Sequence, residues 1–84
     1  MPILCQFYGI IIRMYFQQAE HNPPHIHAVY GGDVAEFDIR NGNILEGELP
    51  KKATEMVREW IQINRNDLLE IWNTQEFKKL EPLE

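Results

Sequence analysis

Apolar and polar residues alternate along the first half of the chain, which predicts a series of short β-strands. Glycine and asparagine mark turns between the apolar segments, at Tyr8-Gly9, Gly31-Gly32 and Arg40-Asn41-Gly42. The predicted strands cover residues 3–7, 10–16, 25–30, 33–39 and 43–49. Residues 17–24 are polar and end in two prolines, so they predict an extended loop between the second and third strands.

In the second half of the chain, apolar residues recur at the spacing of an α-helix. Pro50 suits the first position of a helix, and an apolar stripe follows it at helical spacing: Ala53, Met56, Val57, Trp60 and Ile61. Either Asn64 or Asn66 is placed to cap a second helix. The buried face of that helix would comprise Leu68, Leu69, Trp72 and Phe77. Pro82 ends any helix in the tail, and we expect the leucines of the tail to dock on the core.

Strands followed by helices indicate an α+β fold. We predict an antiparallel β-meander of about five strands, followed by two α-helices packed on one face of the sheet. The other face would meet solvent or a partner. The 84 residues form a single domain, in which residues 1–49 are the sheet half and residues 50–84 are the helical half with its tail. A hydrophobic content of 44% is sufficient for a core in so short a chain.

The histidines of the third strand face carboxylates of the fourth. A two-residue turn at Gly31-Gly32 fixes the register of the two strands. Counting back from the turn places His27 opposite Glu36 and His25 opposite Asp38. Side chains that are directly opposed in this way have Cβ atoms about 4.5–5.5 Å apart, close enough to interact.

Two further residues extend this polar face. His21 lies four residues before His25 and can fold over the face from the loop. Glu46 falls opposite Glu36 if the next turn has three residues. The predicted polar site therefore comprises His21, His25, His27, Glu36 and Asp38, with Glu46 as an addition.

Three interpretations of this histidine cluster are open. The first is a solvated face on which histidines pair with carboxylates, and such exposed pairs contribute about 0–1 kcal/mol each. The second is a site for a divalent transition metal, since imidazole and carboxylate together suit zinc, manganese, nickel or iron. The third is metal-free acid–base catalysis by two histidines. Spacing alone favours the first, because isolated motif matches have many false positives.

The same cluster raises the possibility of regulation by pH. Carboxylates opposite His25 and His27 favour the charged imidazole and should raise the pKa of these residues. We therefore also consider a pH-sensitive regulator.

Charge and cysteine content limit the class of protein. The net charge is −5, and residues 1–50 hold two arginines against six acids. Such a surface repels a nucleic-acid backbone, so the charge disfavours DNA or RNA as a partner. A lone cysteine, Cys5, forms no internal disulfide, which suits the cytoplasm. The longest apolar run, residues 9–12, is too short to span a membrane.

Several segments together resemble one bacterial family, the domain of unknown function 4160. The proline–histidine signature His21-Asn22-Pro23-Pro24-His25-x-His27-Ala28 is the most specific of them. The others are Phe7-Tyr8-Gly9-Ile10-Ile11-Ile12, Met14-Tyr15, Phe37-Asp38-Ile39, Leu45-Glu46-Gly47-x-Leu49-Pro50, Ala53, Glu59-Trp60, Leu68-Leu69-x-x-Trp72 and Glu81-Pro82-Leu83. The resemblance implies a bacterial cytoplasmic protein and covers nearly the whole chain. It carries over no catalytic residue, because none is established for the family.

The resemblance also bears on function. Members of this family often lie beside a gene for another small protein, and such pairs are suspected toxin–antitoxin modules; some members are labelled as transcriptional regulators. Our first hypothesis is therefore a module that binds a protein partner or forms a homo-oligomer, as one half of a toxin–antitoxin-like pair. The alternative is a metal-dependent hydrolase or nuclease that uses His21, His25 and His27 with Glu36 or Asp38.

Overall fold

The computed structural model describes residues 3–14 and 23–83 of the chain. Within these residues, one antiparallel sheet has five strands that lie in chain order. They are β1 (Ile3–Phe7), β2 (Ile10–Arg13), β3 (His25–Tyr30), β4 (Asp33–Asp38) and β5 (Ile44–Gly47), and the helix α1 (Lys51–Thr74) follows them. The predicted antiparallel meander is confirmed, although β2, β4 and β5 are shorter than the sequence pattern predicts.

The turn between β3 and β4 sets their register. Gly31 adopts a φ of +59°, a left-handed conformation that costs glycine little. Because the turn has two residues, Tyr30 pairs with Asp33, and the pairing runs without a shift to His25 and Asp38. This is the register that the sequence predicts.

A single helix replaces the two that the sequence predicts, so this part of the fold prediction is wrong. Helix α1 continues through Asn64, where the backbone departs from helical geometry with φ −106° and ψ 15°. The Asn64 side chain donates from Nδ2 to the carbonyl oxygen of Trp60 at 3.0 Å. It therefore bonds back onto the preceding turn instead of capping a new helix, and the result is a bend. The sequence predicts Pro50 at the first helical position, whereas Pro50 is the N-cap residue. The helix therefore begins one residue later than predicted, at Lys51.

The core lies between one face of the sheet and the apolar stripe of α1. Ile26, Ala28, Ala35 and Phe37 form the centre of the sheet face, and each is at most 1% exposed. The buried stripe of α1 consists of Ala53, Val57, Trp60, Ile61, Leu68, Ile71 and Trp72. Contact between the two layers includes the rings of Phe7 and Trp60, whose centroids lie 6.0 Å apart. Burial of this apolar surface is the main stabilising contribution to the fold.

The C-terminal tail docks on this core as predicted. Leu80 is buried, and its N–H donates to the carbonyl oxygen of Leu4 in β1 at 3.0 Å. The indole Nε1 of Trp60 donates to the carbonyl oxygen of Glu81 at 2.8 Å. These two hydrogen bonds tie the tail to the first strand and to the middle of α1.

Helix α1 is amphipathic along its length. Its buried stripe alternates with exposed charged residues such as Lys52, Glu55 and Glu59. Across the described part of the chain, no helix combines the length and the apolar character that a membrane span requires.

Candidate metal centre

Three polar side chains converge on the face of the sheet opposite the core face, which we call the second face. His25 and His27 share this face because strand residues two apart point the same way. Glu36 lies directly opposite His27 on β4. Its carboxylate approaches both rings, with Oε1 3.6 Å from His25 Nε2 and Oε2 3.5 Å from His27 Nε2. One carboxylate is therefore shared by two imidazoles.

The three residues are close enough to surround one ion. Each offers one ligand atom, and these atoms lie within 4.8 Å of one another. The centroids of the two imidazole rings are 5.2 Å apart. His25 is buried, whereas His27 and Glu36 are partly exposed.

Contacts on two sides hold the His25 ring in place. Its Nδ1 lies 2.9 Å from the carbonyl oxygen of Pro23, and a carbonyl can only accept, so Nδ1 is the donor. The ring also packs against Trp72, with centroids 5.1 Å apart. In the neutral ring, the lone pair of Nε2 then faces the Glu36 carboxylate, which is unfavourable unless a proton or a metal ion lies between them.

His27 differs from what the sequence predicts. Burial lowers the pKa of His27 below its ordinary value, and it outweighs the nearby Glu36 carboxylate, which acts to raise that pKa. The expected rise in pKa, on which a pH-sensitive regulator depended, is therefore wrong for His27. A lowered pKa keeps this imidazole neutral near pH 7, and neutral imidazole is the form that binds metal ions.

Asp38 binds Arg40 and lies outside the group of converging ligands. Its Oδ1 accepts from the Arg40 backbone N–H at 2.8 Å and from Nε at 3.3 Å, and its Oδ2 accepts from Nη2 at 3.3 Å. Burial by itself acts to raise the pKa of Asp38, but the hydrogen bonds from Arg40 outweigh it and hold that pKa below its usual value. Asp38 is therefore a structural carboxylate at the end of β4.

The other two predicted residues have different outcomes. His21 lies outside the described residues. Glu46 is paired with Glu36 across β4 and β5, as predicted, and its side chain is exposed. A bulge between Glu36 and Phe37 shifts the register there, so Leu45 is the extra residue on β5.

Sequence reasoning missed two neighbours of the cluster. The sequence predicts Trp72 in the core alone, yet it also contacts the His25 ring because the bent α1 reaches the beginning of β3. Arg13 ends β2 directly opposite His27. The apolar pattern held a signal for Arg13, since aligning Ile10 and Ile12 with the core face of β3 turns Arg13 towards the histidines.

The fold and the site together define a class of small α+β proteins in which a five-stranded antiparallel sheet carries a His–His–carboxylate cluster. A family model for the domain of unknown function DUF4160 matches residues 9–73, and the chain belongs to this family. The matched region contains β2 to β5, most of α1 and all three converging residues. No curated protein and no solved structure gives a significant match to the chain.

Proposed function

We propose that this protein binds a divalent transition-metal ion through His25, His27 and Glu36 and uses it in hydrolysis. The spacing of the ligand atoms carries the proposal. In a tetrahedral zinc site with bonds of about 2.0–2.1 Å, neighbouring ligand atoms are about 3.3–3.4 Å apart. The two nitrogen–oxygen distances in the cluster, 3.6 and 3.5 Å, are close to that value. All three ligand atoms lie within 4.8 Å of one another, so a coordination shell would also require the two imidazole rings to move closer together.

The surroundings of His25 support the same proposal. Metal-binding histidines usually donate their second ring N–H to a carbonyl or carboxylate, which fixes the tautomer and orients the ring. The Pro23 carbonyl oxygen accepts this hydrogen bond from His25 Nδ1. Trp72 packs on the ring, so His25 Nε2 is held towards Glu36.

Among the described residues the cluster offers three ligands, and this number favours catalysis over a structural role for the ion. Structural zinc sites use four protein ligands, whereas catalytic sites use three and keep one position for water or substrate. A divalent ion held here would act as a Lewis acid for hydrolysis. The acidic charge of the protein favours a small substrate over nucleic acid. A bacterial cytosolic location is part of this proposal, and the single buried cysteine, Cys5, is compatible with it.

Metal titration tests the proposal. We expect the wild-type protein to bind one equivalent of zinc in isothermal titration calorimetry. Loss of a ligand in His27→Ala or Glu36→Gln should weaken binding by about 100-fold or more, because even outer partners of metal ligands contribute about 10–100-fold. Glu46→Gln removes a neighbouring carboxylate outside the converging group and is the matched control, with expected affinity near that of wild type.

Two results would contradict the metal site. One is the absence of zinc, manganese, nickel and iron binding at micromolar concentrations in the wild-type protein. The other is equal binding by the Glu36→Gln and Glu46→Gln variants. If metal binds, the loaded protein is screened against small esters and phosphoesters, with chelated protein as the blank.

A second candidate function is binding of a protein partner, as one half of a toxin–antitoxin-like pair. The observation that favours it is the exposed edge of the sheet at β5, where all four residues are exposed. The apolar side chains of Val34, Ile44 and Leu45 lie exposed beside this edge. An exposed strand edge offers backbone N–H and C=O groups for pairing with another chain.

Co-expression with the product of the neighbouring gene tests this second candidate. We expect an equimolar complex in size-exclusion chromatography with light scattering, and a loss of affinity of about tenfold or more in Leu45→Asp, the scale of a buried apolar contact at an interface. Ile63→Asp alters an exposed apolar residue on α1 and is the control. A protein that forms neither this complex nor an oligomer, and whose expression leaves growth unchanged, would rule the candidate out.

A further inference from the structure

A row of charged and polar side chains crosses four neighbouring strands on the second face of the sheet. Arg13 of β2 pairs with His27 of β3, His27 with Glu36 of β4, and Glu36 with Glu46 of β5. Because directly opposed residues on adjacent strands have neighbouring Cβ atoms, Arg13 is next to the proposed metal ligands. The row therefore places one guanidinium beside one imidazole and two carboxylates, and the second imidazole, that of His25, lies next to the His27 ring.

The guanidinium of Arg13 has no protein partner within the described residues. Its Nε is buried and donates no hydrogen bond there. Two other arginines of the described chain are engaged, since Arg40 binds Asp38 and Arg65 Nε donates to the Ile39 carbonyl oxygen at 3.0 Å. A buried donor without an acceptor is unfavourable, so an arginine kept in this state calls for an acceptor beyond the described residues, and a bound ligand can supply one.

The chemistry of the acceptor follows from the donor. A guanidinium presents parallel N–H groups in a planar fork that matches the oxygens of a carboxylate or a phosphate. Lysine offers a single point charge and lacks this geometry. The ligand that fits Arg13 is therefore an oxyanion, and a metal ion beside it would attract the same ligand.

The charge of the row makes binding of an oxyanion depend on the metal. Arg13 carries one positive charge against the two carboxylates of Glu36 and Glu46, so the row without metal is negative and repels an anion. A divalent ion on the histidines and Glu36 reverses the sign. Anion binding should therefore appear only when the metal is bound.

We propose that Arg13 binds an oxyanionic group of the substrate, a phosphate or a carboxylate, while that group occupies the open position on the metal. This inference rests on the proposed metal site and adds the class of substrate to it. Arg13 contacts substrate in this account, and the imidazoles and Glu36 hold the ion.

The test uses the cobalt-loaded protein, because the visible spectrum of cobalt responds when an anion enters its coordination shell. Cobalt content is measured first by elemental analysis for wild type, Arg13→Gln, Arg13→Lys and the control Arg58→Gln, which alters an exposed arginine of α1. Each is then titrated with inorganic phosphate and, separately, with acetate. The anion that binds more tightly indicates whether the substrate group is a phosphate or a carboxylate.

We expect all four proteins to hold one equivalent of cobalt. Arg13→Gln should weaken anion binding by about 10- to 100-fold, the effect of losing a charge-assisted hydrogen bond. The anion affinity of Arg13→Lys should lie between those of wild type and Arg13→Gln. Arg58→Gln should bind the anion as tightly as wild type. The apoprotein should bind neither anion.

Each possible failure has a distinct signature. A wild-type protein without bound cobalt overturns the metal site and this inference together. Full cobalt content with no anion binding, or with equal anion binding by wild type and Arg13→Gln, overturns the role of Arg13 and leaves the metal site intact. Anion binding that is lost equally in Arg58→Gln would assign the effect to general surface charge and would also overturn the role of Arg13.

Discussion

Replacing Trp60 with alanine should lower the free energy of unfolding by about 3–5 kcal/mol, the usual cost of removing a large aromatic side chain from a core. Trp60 is 0% exposed and lies where α1 meets the sheet. Its ring packs against Phe7, and its Nε1–H donates to the Glu81 carbonyl oxygen. A domain of this length has a total stability of about 4–13 kcal/mol, so Trp60→Ala should remove a large part of that stability.

Urea denaturation followed by circular dichroism measures this loss, and Trp60→Phe is the matched control. Phenylalanine keeps most of the apolar volume but cannot donate to the Glu81 carbonyl oxygen. We expect it to lose about 1–2 kcal/mol, from one hydrogen bond and a small change of volume. Equal losses in the two variants would contradict the packing role of Trp60, because the hydrogen bond would then account for the whole effect.

Gly47→Ala should be the most damaging substitution on the sheet, at about 2–6 kcal/mol. Gly47 has a φ of +79°, and a Cβ at this position would overlap the backbone carbonyl oxygen of Val34. Left-handed strain costs about 1–3 kcal/mol, and forced overpacking adds about 1–3 kcal/mol. The clash involves backbone atoms of the neighbouring strand, so it cannot be relieved by a change of side-chain rotamer.

Gly31→Ala is the control that separates these two costs. Gly31 also has a positive φ, +59°, but a Cβ there would meet nothing within 4 Å. It should lose about 1–3 kcal/mol from backbone strain alone, and the same urea experiment measures both variants. If Gly31→Ala were as damaging as Gly47→Ala, the close approach between β5 and β4 would have no energetic role.

Local rules were enough to predict the sheet and the pairing of histidines with carboxylates. The β3–β4 register depends on a two-residue turn, and Gly31-Gly32 is readable as such a turn in the sequence. Side chains alternate with a period of two, so the register alone placed Glu36 opposite His27. These inferences needed no knowledge of the tertiary structure.

Features that depend on contacts distant in sequence could not be predicted in this way. Asn64 is a good cap by residue type, and only its bond to the Trp60 carbonyl shows that it bends one helix. The carboxylate of Asp38 faces His25 by register, but a nearer partner, Arg40, binds it. The pKa of His27 falls because burial outweighs the adjacent carboxylate, and burial is set by the whole fold.

The neighbourhood of Arg13 was missed for a related reason. Residues 14–24 separate β2 from β3 in the sequence, and a connection of this length, unlike a tight turn, fixes no register. Pairing of Arg13 with His27 therefore became visible only in the assembled sheet. The same pairing is what extends the proposed site from metal ligands to a binding residue for substrate.

The most direct test of the metal site is an anomalous difference map from crystals of zinc-loaded protein, collected at the zinc absorption edge. We expect one peak on the second face of the sheet, within about 2.0–2.2 Å of His25 Nε2, His27 Nε2 and a Glu36 carboxylate oxygen. A peak elsewhere, or no peak in zinc-soaked crystals, would contradict the account. His25, His27 and Glu36 would then be a hydrogen-bonded cluster that stabilises the sheet or contacts a partner.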